Sequence, residues 1–141
     1  MKKIVGFLAF TILLSASTAS FAEVTFANLS FAEAVKQAKK EKKLVMVDYY
    51  TTWCGWCKVL DKKTYSDKAV GDYASANMIS LKIDAEKGEG IDLVRRSSIQ
   101  GYPTIIFYDG DGKEVNRIVG FVEANSFLER MKMAVSAKPA N

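Results

Sequence analysis

Polar and apolar residues alternate at helical spacing in the stretch that follows residue 29. Ser30 and Glu33 form the Ser-x-x-Glu pattern of a capping box, in which each side chain satisfies a backbone N–H at the start of a helix. The apolar residues of this stretch share one helical face, because they lie three and four positions apart: Phe31, Ala34, Val35 and Ala38. The pattern predicts an amphipathic helix that ends in the lysine-rich stretch near Glu41.

Three apolar runs have the length of β-strands. Residues 44–50 and 78–84 are nearly continuous in apolar side chains, and residues 104–108 are rich in Ile and aromatic residues. Runs of this kind favour strands that are covered on both faces of a sheet. The sequence Asp-Gly-Asp-Gly at 109–112 is typical of a hairpin turn, so we expect the third run to pair with a returning strand at 115–119.

Four further helices are predicted between and after these strands. The predicted segments are residues 55–63, a short helix that contains Val70 and Tyr73, residues 91–96, and residues 124–135. Asp67 is a suitable N-cap for the short helix, after a break at residues 64–67. Strands and helices in this order predict an α/β fold, with a mixed central sheet flanked by helices on both faces.

The first 22 residues have the pattern of an export signal. Lys2 and Lys3 are followed by an apolar run at 4–14, and the stretch ends in the small-x-small sequence Ser-Phe-Ala at 20–22. The apolar run is shorter than the roughly 20 residues of a membrane-spanning helix. We expect residues 1–22 to be a cleaved signal peptide; an uncleaved anchor is the alternative that the sequence leaves open.

Size and charge limit the number of domains and the functions that we expect of the remaining chain. The 119 residues that remain of 141 after residues 1–22 are removed have the length of one domain. Without Lys2 and Lys3 the formal net charge falls from +4 to +2, which gives no reason to expect nucleic acid binding. The lysines between residues 36 and 43 are interpreted as a solvated helix end.

The chain has only two cysteines, Cys54 and Cys57, in the sequence Trp-Cys-Gly-Trp-Cys-Lys at 53–58. Cys54 stands at the start of a predicted helix. The helix N-terminus favours its thiolate, because it offers free N–H groups and partial positive charge. The thiolate is the species that attacks a disulfide. The spacing therefore predicts a redox-active pair, with Cys54 exposed and reactive and Cys57 buried.

Two other interpretations of the cysteine pair are weaker. A zinc site needs about four ligands, and the chain has no histidine and no third cysteine, so only a site shared across a dimer would remain. A purely stabilising disulfide fits poorly, because so short a loop removes little entropy from the unfolded chain. We expect no metal site and no cofactor.

With these motifs the chain resembles the thioredoxin superfamily over residues 44–135. The matching motifs occur in the family's order: Val-Asp-Tyr at 47–49, the cysteine motif at 53–58, Gly-Tyr-Pro-Thr at 101–104 and Val-Gly at 119–120. Cys-Lys at 57–58 followed by Thr-Tyr-Ser-Asp at 64–67 is similar to the C-terminal periplasmic domain of DsbD-type transmembrane reductases and to small exported proteins like it. The resemblance implies a thioredoxin-like domain over residues 23–141.

The resemblance also implies roles for individual residues. Cys54 corresponds to the attacking thiol and Cys57 to the resolving thiol. Pro103 corresponds to the family's cis-proline, which places Tyr102 beside the cysteines; an ordinary turn proline is the alternative. Asp48 corresponds to the family's buried acid, which can accept the proton of Cys57, although a partly hydrated acid at a strand end is also possible.

Two tryptophans are expected at the rim of this site. Trp53 and Trp56 flank Cys54, and we expect them to bind substrate together with Tyr102 and Pro103. For Trp56 the alternative is simple packing on the next loop. Trp56 also replaces the proline of ordinary thioredoxins and the histidine of strong oxidants, so the redox potential does not transfer from either group.

Two more positions depart from the family's pattern. Lys62 stands where thioredoxins have a helix-kinking proline, so we expect a straighter helix there. Ser80 stands where thioredoxins have a lysine that pairs with the buried acid. Asp48 is therefore expected to lack a cationic partner, unless Lys82 reaches it.

The function that these expectations favour is an exported, periplasmic thiol–disulfide oxidoreductase that reduces protein disulfides through Cys54 and Cys57. Its expected partners are protein thiols and disulfides and a membrane electron donor, and we expect a monomer. The same site could work as a disulfide oxidase or isomerase. A non-catalytic binding module with a static disulfide is the alternative of a different class.

Overall fold

The computed structural model describes residues 23–139, so the predicted signal peptide at residues 1–22 lies outside the described residues. Its helices are α1 (Phe31–Glu41), α2 (Gly55–Leu60), α3 (Lys68–Asn77), α4 (Gly90–Arg96) and α5 (Ala124–Ser136). Its strands are β1 (Leu44–Tyr50), β2 (Met78–Asp84), β3 (Thr104–Tyr108) and β4 (Glu114–Val119). Within the described range, no helix combines the length and the apolar character needed to cross a membrane.

The four strands form one mixed sheet in the order β2-β1-β3-β4. Strand β1 pairs in parallel with β2 and antiparallel with β3, which in turn pairs antiparallel with β4. Because β1 is central, nearly all of its residues are buried, as its continuous apolar run predicts. The parallel register sets Asp48 directly opposite Lys82. The predicted α/β fold with a mixed sheet is confirmed.

Side chains from the two faces of the sheet enter two separate clusters of buried residues. Met46 and Phe107 point to the face that α3 and α5 cover, where Phe127 and Met131 are fully buried. Alternate residues such as Val47 point to the other face, which is covered mainly by α1 and α4. Burying a large apolar side chain contributes about 1.5–3 kcal/mol, so these two layers fix the sheet that carries the site.

The first helix begins as the sequence predicts. Glu33 N–H donates to Ser30 Oγ at 3.3 Å, and Ser30 N–H donates to Glu33 Oε2 at 2.8 Å. This reciprocal capping box satisfies two backbone donors that would otherwise lack partners in the first turn.

The helix that follows the cysteines differs from its predicted form. It is α-helical only to Leu60 and continues as a π-helical turn over Asp61–Tyr65, so the break comes at Ser66 rather than at Thr64. Lys62 lies inside this π-helical turn. The helix is therefore irregular at the position where we expected it to be straighter. Tertiary anchoring is the physical reason, because Thr64 is fully buried and its hydroxyl donates to the Val122 carbonyl at 2.6 Å.

The segment before α1 packs against the same region. Val24 N–H donates to the Tyr65 carbonyl at 2.8 Å, and Ala27 N–H donates to the Ser80 carbonyl at 2.8 Å. Between these two anchors, the ring of Phe26 meets the ring of Tyr65 edge-on at 5.2 Å. The N-terminal segment is therefore tied both to the π-helical turn and to strand β2.

Candidate active site

The two cysteines form a disulfide at the start of α2, with an S–S distance of 2.15 Å and a Cα–Cα distance of 5.4 Å. Cys54 is the N-cap residue of the helix, in extended backbone conformation. Its Sγ accepts a hydrogen bond from Cys57 N–H at 3.1 Å. A donor aimed at this sulfur favours its charged form, so the local geometry suits a thiolate at Cys54.

The two cysteines differ little in exposure. Cys54 keeps 5% of its surface exposed and Cys57 keeps 2%, so the expectation of an exposed Cys54 does not hold in this disulfide form. What distinguishes the two sulfurs in this form is the hydrogen bond that Cys57 N–H donates to Cys54 Sγ.

Aromatic side chains surround the cysteine motif in two pairs. Trp53 meets Tyr102 edge-on at 6.1 Å, and its indole N–H donates to Glu86 Oε1 at 3.1 Å. Trp56 stacks on Phe121 at 5.7 Å. Both tryptophans nevertheless expose most of their surface. Trp56 therefore packs on the loop after β4, as the packing alternative predicts, and its ring remains largely exposed to solvent.

The loop before β3 joins the two aromatic pairs. Its Tyr102–Pro103 peptide bond is cis, as the resemblance implies. The Pro103 carbonyl accepts a hydrogen bond from Gly120 N–H at 2.8 Å, which connects this loop to the residue before Phe121. Trp56, Gly120 and Phe121 line a shallow, mostly apolar hollow. Sequence reasoning missed Phe121, although it directly follows the Val-Gly motif at 119–120.

Asp48 is fully buried in β1 and forms an ion pair with Lys82, whose Nζ lies 2.8 Å from Asp48 Oδ2. Lys82 thus supplies the partner that Ser80 cannot. The other carboxylate oxygen, Asp48 Oδ1, has no hydrogen-bond partner among the described residues. Burial raises the pKa of Asp48, and the nearby ammonium of Lys82 opposes that rise only in part.

A second acid shares the same lysine. Lys82 Nζ also lies 2.6 Å from Asp61 Oδ1, which belongs to the π-helical turn. Burial acts to lower the pKa of Lys82, but the two carboxylates outweigh it and raise this pKa. Sequence reasoning missed Asp61; its position four residues after Cys57, on the same helical segment, is the signal that could have found it. Between residues 23 and 139, no cluster of three or more potential metal ligands is present.

Three aromatic rings enclose the ammonium of Lys82. Its Nζ lies 5.3 Å from the ring centre of Phe26, 5.0 Å from that of Tyr50 and 5.4 Å from that of Tyr65. Burial, with the carboxylates of Asp48 and Asp61 adding to it, raises the pKa of Tyr65 well above its usual value. Cation–π contact adds to the ion pairs and holds the ammonium in place.

Comparison with known proteins places this chain among thioredoxin-like domains. A family model described as a thioredoxin-like domain matches residues 31–134. The thiol:disulfide interchange protein DsbD of Vibrio vulnificus (strain YJ016) is 33% identical over 125 residues, which are 84% of this chain and 21% of that protein. DsbD of Actinobacillus pleuropneumoniae (serotype 5b, strain L20) is 38% identical over 97 residues, 66% of this chain and 16% of that protein. The chain spans about a fifth of the length of these curated relatives.

Two solved structures are also similar to this chain, and one of them is matched over its whole length. A candidate disulphide isomerase from Bacteroides thetaiotaomicron superimposes with a TM-score of 0.74 at 40% identity, over 86% of this chain and 100% of that one. The C-terminal domain of Neisseria meningitidis DsbD in its reduced form superimposes with a TM-score of 0.61 at 27% identity, over 72% of this chain and 91% of that one.

Proposed function

Because the chain belongs to the thioredoxin-like family, we propose that it is an exported thiol–disulfide oxidoreductase that reduces protein disulfides. The observation that carries this proposal is the disulfide between Cys54 and Cys57, whose first sulfur accepts a backbone N–H at the start of a helix.

The proposed cycle starts from the reduced protein. The Cys54 thiolate attacks one sulfur of a substrate disulfide, forms a mixed disulfide, and displaces the other substrate sulfur as a thiolate, which takes a proton from solvent. Cys57 then loses its proton and attacks the sulfur of Cys54. The Cys54–Cys57 disulfide forms, the mixed disulfide breaks, and the second substrate thiol leaves. Two electrons pass from the protein to the substrate.

Asp48 is proposed to take the proton of Cys57. It is fully buried, one of its oxygens has no hydrogen-bond partner within residues 23–139, and its raised pKa brings it toward the range in which a carboxylate is an effective base near neutral pH. A strand-end acid in contact with water would have neither property, which is why burial favours the catalytic interpretation.

The aromatic rim is proposed to hold the substrate. Trp56 and Phe121 offer an apolar surface on one side of the motif, and Trp53 and Tyr102 offer another. An extended substrate segment can pair with the backbone at Tyr102 and Pro103, and main-chain hydrogen bonds give affinity across many sequences. The rings add contact area without strict selectivity.

Export and the electron supply are further parts of the proposal. The pattern at residues 1–22 supports a signal peptide, so the mature protein should begin at Glu23 and work in the periplasm. That compartment is kept oxidising, so a reductase there needs a membrane electron donor to regenerate its dithiol. Mass spectrometry of the protein purified from a periplasmic extract checks the first part: a mass that includes residues 1–22 would contradict cleavage.

The direction of the reaction is proposed from the residues between the cysteines. Strong oxidants stabilise their reduced form, and here no histidine is available to stabilise the Cys54 thiolate. We therefore expect a potential nearer to that of thioredoxin, about −270 mV, than to the roughly −120 mV of the strongly oxidising members of the superfamily. The second candidate function is disulfide isomerisation, which the description of the Bacteroides thetaiotaomicron protein favours.

The experiment is to equilibrate the Cys54–Cys57 pair in glutathione and dithiothreitol buffers and to measure insulin reduction in parallel. A potential near the thioredoxin value, with turnover that is lost in Cys54→Ser, supports a reductase. A potential more positive than about −180 mV, the value of protein disulfide isomerase, would overturn the direction and favour isomerisation. A pair that equilibrates normally but never turns over insulin or scrambled ribonuclease would mean a binding module.

A further inference from the structure

The indole of Trp53 is held by a carboxylate from outside the cysteine motif. Its Nε1–H donates to Glu86 Oε1 at 3.1 Å, and its ring meets the ring of Tyr102 edge-on at 6.1 Å. Trp53 keeps 67% of its surface exposed, and Glu86 is exposed as well. One carboxylate and two aromatic rings therefore lie together next to the cysteine motif, on the rim where the proposed function places a substrate segment.

The loop between β2 and α4 fixes the position of this carboxylate. Ala85 N–H donates to the Tyr50 carbonyl at 2.8 Å, which ties the loop to the end of β1. Glu86 N–H donates to Asp84 Oδ1 at 3.0 Å, and this turn sets the direction in which the chain leaves the strand. Gly90 closes the loop so near the Asp84 carbonyl that a Cβ there would lie 2.0 Å from the oxygen. The backbone that carries Glu86 is thus anchored at both ends of the loop.

The charge of Glu86 is not neutralised by a neighbouring cation. Glu86 forms no ion pair within residues 23–139, and the adjacent Lys87 pairs with Asp84 at 3.3 Å instead. Trp53 uses one oxygen of the carboxylate, and the other accepts no hydrogen bond from the part of the chain that the structure describes. Burial raises the pKa of Tyr102, and the carboxylates of Glu86 and Asp84 add to that rise. The negative charge of Glu86 is therefore felt at the aromatic rim.

A carboxylate beside aromatic rings is a suitable site for a cation, because an ammonium or guanidinium group gains both an ion pair and contact with the ring faces. The chain uses this combination at Lys82, whose Nζ lies 2.6 Å from Asp61 Oδ1 and 5.0, 5.3 and 5.4 Å from the centres of three rings. At Glu86 the carboxylate and the rings are present. No lysine or arginine among the described residues supplies the cation there.

The other surroundings of the cysteine motif do not favour a cation. Among the described residues, the hollow at Trp56 and Phe121 is lined by no charged side chain. After Cys57 the helical segment exposes three lysines that form no ion pair within the described range: Lys58, Lys62 and Lys63. These lysines repel a basic group of the substrate, so such a group is favoured only at Glu86.

We propose that Glu86, with the rings of Trp53 and Tyr102, forms a subsite for a basic side chain, so that the protein prefers disulfides flanked by Lys or Arg. The inference rests on the proposed function, because it concerns the substrates of the same cysteine pair. It deepens that function by adding selectivity for charge, which the rings alone do not provide. Glu86 contacts a side chain of the substrate and not the reacting sulfurs, so it sets specificity rather than the chemistry of exchange.

The test compares three short peptides, each closed by one disulfide, that differ only in the residues on either side of their cysteines: Arg, Gln or Glu. The measured quantity is the rate constant for reduction of each peptide by the reduced protein. It is divided by the rate constant for the same peptide with dithiothreitol, which corrects for the effect of the flanking charge on the disulfide itself. At low salt the wild type should reduce the Arg peptide about five- to tenfold faster than the Gln peptide, and the Glu peptide most slowly. In about 0.5 M salt the preference should fall to about twofold or less.

Two substitutions at Glu86 separate its charge from its shape. Glu86→Gln keeps an oxygen that can accept the Trp53 N–H and removes the charge, so the corrected rates for the Arg and Gln peptides should agree within about twofold. Glu86→Lys should reverse the order and favour the Glu peptide. Glu129→Gln is the matched control: it makes the same change at an exposed acid of α5 that pairs with Lys132, and it should keep the wild-type preference.

Binding is measured separately, with the disulfide form of the protein and with peptides that carry Ser in place of Cys. The indole N–H signal of Trp53 in a proton–nitrogen NMR spectrum reports binding, because this group donates to Glu86. The Arg peptide should shift the signal at a lower concentration than the Gln peptide does. Such a preference without any disulfide reduction would overturn the proposed function and uphold the subsite.

Several outcomes would overturn the inference. Equal corrected rates for the Arg and Gln peptides in the wild type would do so, as would a preference that persists in Glu86→Gln or is lost to the same extent in Glu129→Gln. The comparison of peptides and of salt concentrations uses the wild type, so the test stands even if a variant does not fold. Normal reduction of all three peptides without a preference would overturn the subsite and leave the proposed function standing.

Discussion

Replacing Asp48 by Asn should make the protein more stable at neutral pH. The carboxylate lies with no exposed surface in the central strand, and its Oδ1 has no hydrogen-bond partner among the described residues. Asn has nearly the same shape and carries no charge. The substitution therefore removes the cost of burying an ionised group while leaving the packing of β1 in place.

Two opposing effects decide the magnitude. Breaking a buried ion pair typically costs about 3–5 kcal/mol, because the remaining charge is left uncompensated. Here the remaining charge is Lys82, which keeps Asp61 at 2.6 Å and is partly exposed, so most of that cost does not arise. The amide of Asn still leaves a polar atom at the unpartnered position, so the gain comes only from removing the buried charge, whose desolvation costs about 1–3 kcal/mol or more. We expect a net gain of about 1–3 kcal/mol in the free energy of unfolding at pH 7.

The gain should depend on pH in a defined direction. Burial raises the pKa of Asp48 in the folded protein, so the folded state binds a proton more tightly than the unfolded chain does. The contribution of Asp48 to the stability of the wild-type protein is then greatest at a pH below 3.8, the ordinary pKa of the group. It is lost as the pH rises through the pKa that Asp48 has in the folded protein. Asn does not titrate, so the advantage of the variant should grow from acid toward neutral pH, by up to about 1.4 kcal/mol per pH unit between the two pKa values.

The assay is urea unfolding of the disulfide form of both proteins between pH 3 and pH 8. Asp72→Asn, which removes an exposed acid paired with Lys68, is the matched control and should show a small difference that hardly varies with pH. A variant that is destabilised at pH 7 would refute the reasoning, since the Asp48–Lys82 pair would then contribute more than burial costs. A gain that stays constant down to pH 3 would refute it too, because it could not come from the titration of Asp48.

Two further predictions concern the cysteines and the rim. Limiting iodoacetamide added to the reduced protein at neutral pH should label Cys54 in preference to Cys57, because a backbone N–H points at the Cys54 sulfur; peptide mapping that finds mainly Cys57 labelled would reverse the roles. Phe121→Ala should lower kcat/KM for a protein disulfide by about tenfold, a loss of about 1.4 kcal/mol, while leaving reduction of a small aromatic disulfide nearly unchanged. Equal losses for both substrates would mean that Phe121 supports the cysteine loop rather than the substrate.

The fold could be predicted from the sequence because its signals are local and mutually consistent. The strand at 44–50 is apolar throughout, and the capping box at Ser30 fixes the start of α1; both appear in the structure as predicted. The π-helical turn over Asp61–Tyr65 could not be predicted in this way. Its hydrogen bonding is set by a long-range anchor between Thr64 and Val122, two residues that are 58 positions apart.

The residues of the site were likewise predictable only where the signal in the sequence is local. The spacing of Cys54 and Cys57 at a predicted helix start predicts a redox-active pair, and the structure shows the two residues in one disulfide. Lys82 could be named only as a conditional partner of Asp48, because the register of two strands that are 34 residues apart decides whether they meet. For Asp61 and Phe121 the sequence offers only their positions, after Cys57 and after the Val-Gly motif. The contacts that bring them to the site are with residues distant in sequence, Lys82 in one case and Trp56 in the other.

The expected gain in stability on removing Asp48 bears directly on its purpose. A carboxylate that makes the folded protein less stable at neutral pH has no structural justification in a strand whose other side chains are well packed. In the proposed cycle it has a chemical justification, because Cys57 must lose a proton at a place that solvent hardly reaches.

Asp48→Asn should therefore raise the free energy of unfolding and, in the same protein, slow the resolving attack of Cys57 near neutral pH. Rapid mixing of the mixed disulfide with detection of the released thiol measures that step directly. A residue needed only for structure would lower stability when it is replaced and leave this rate unchanged, so the signs of the two effects separate the explanations in a single variant.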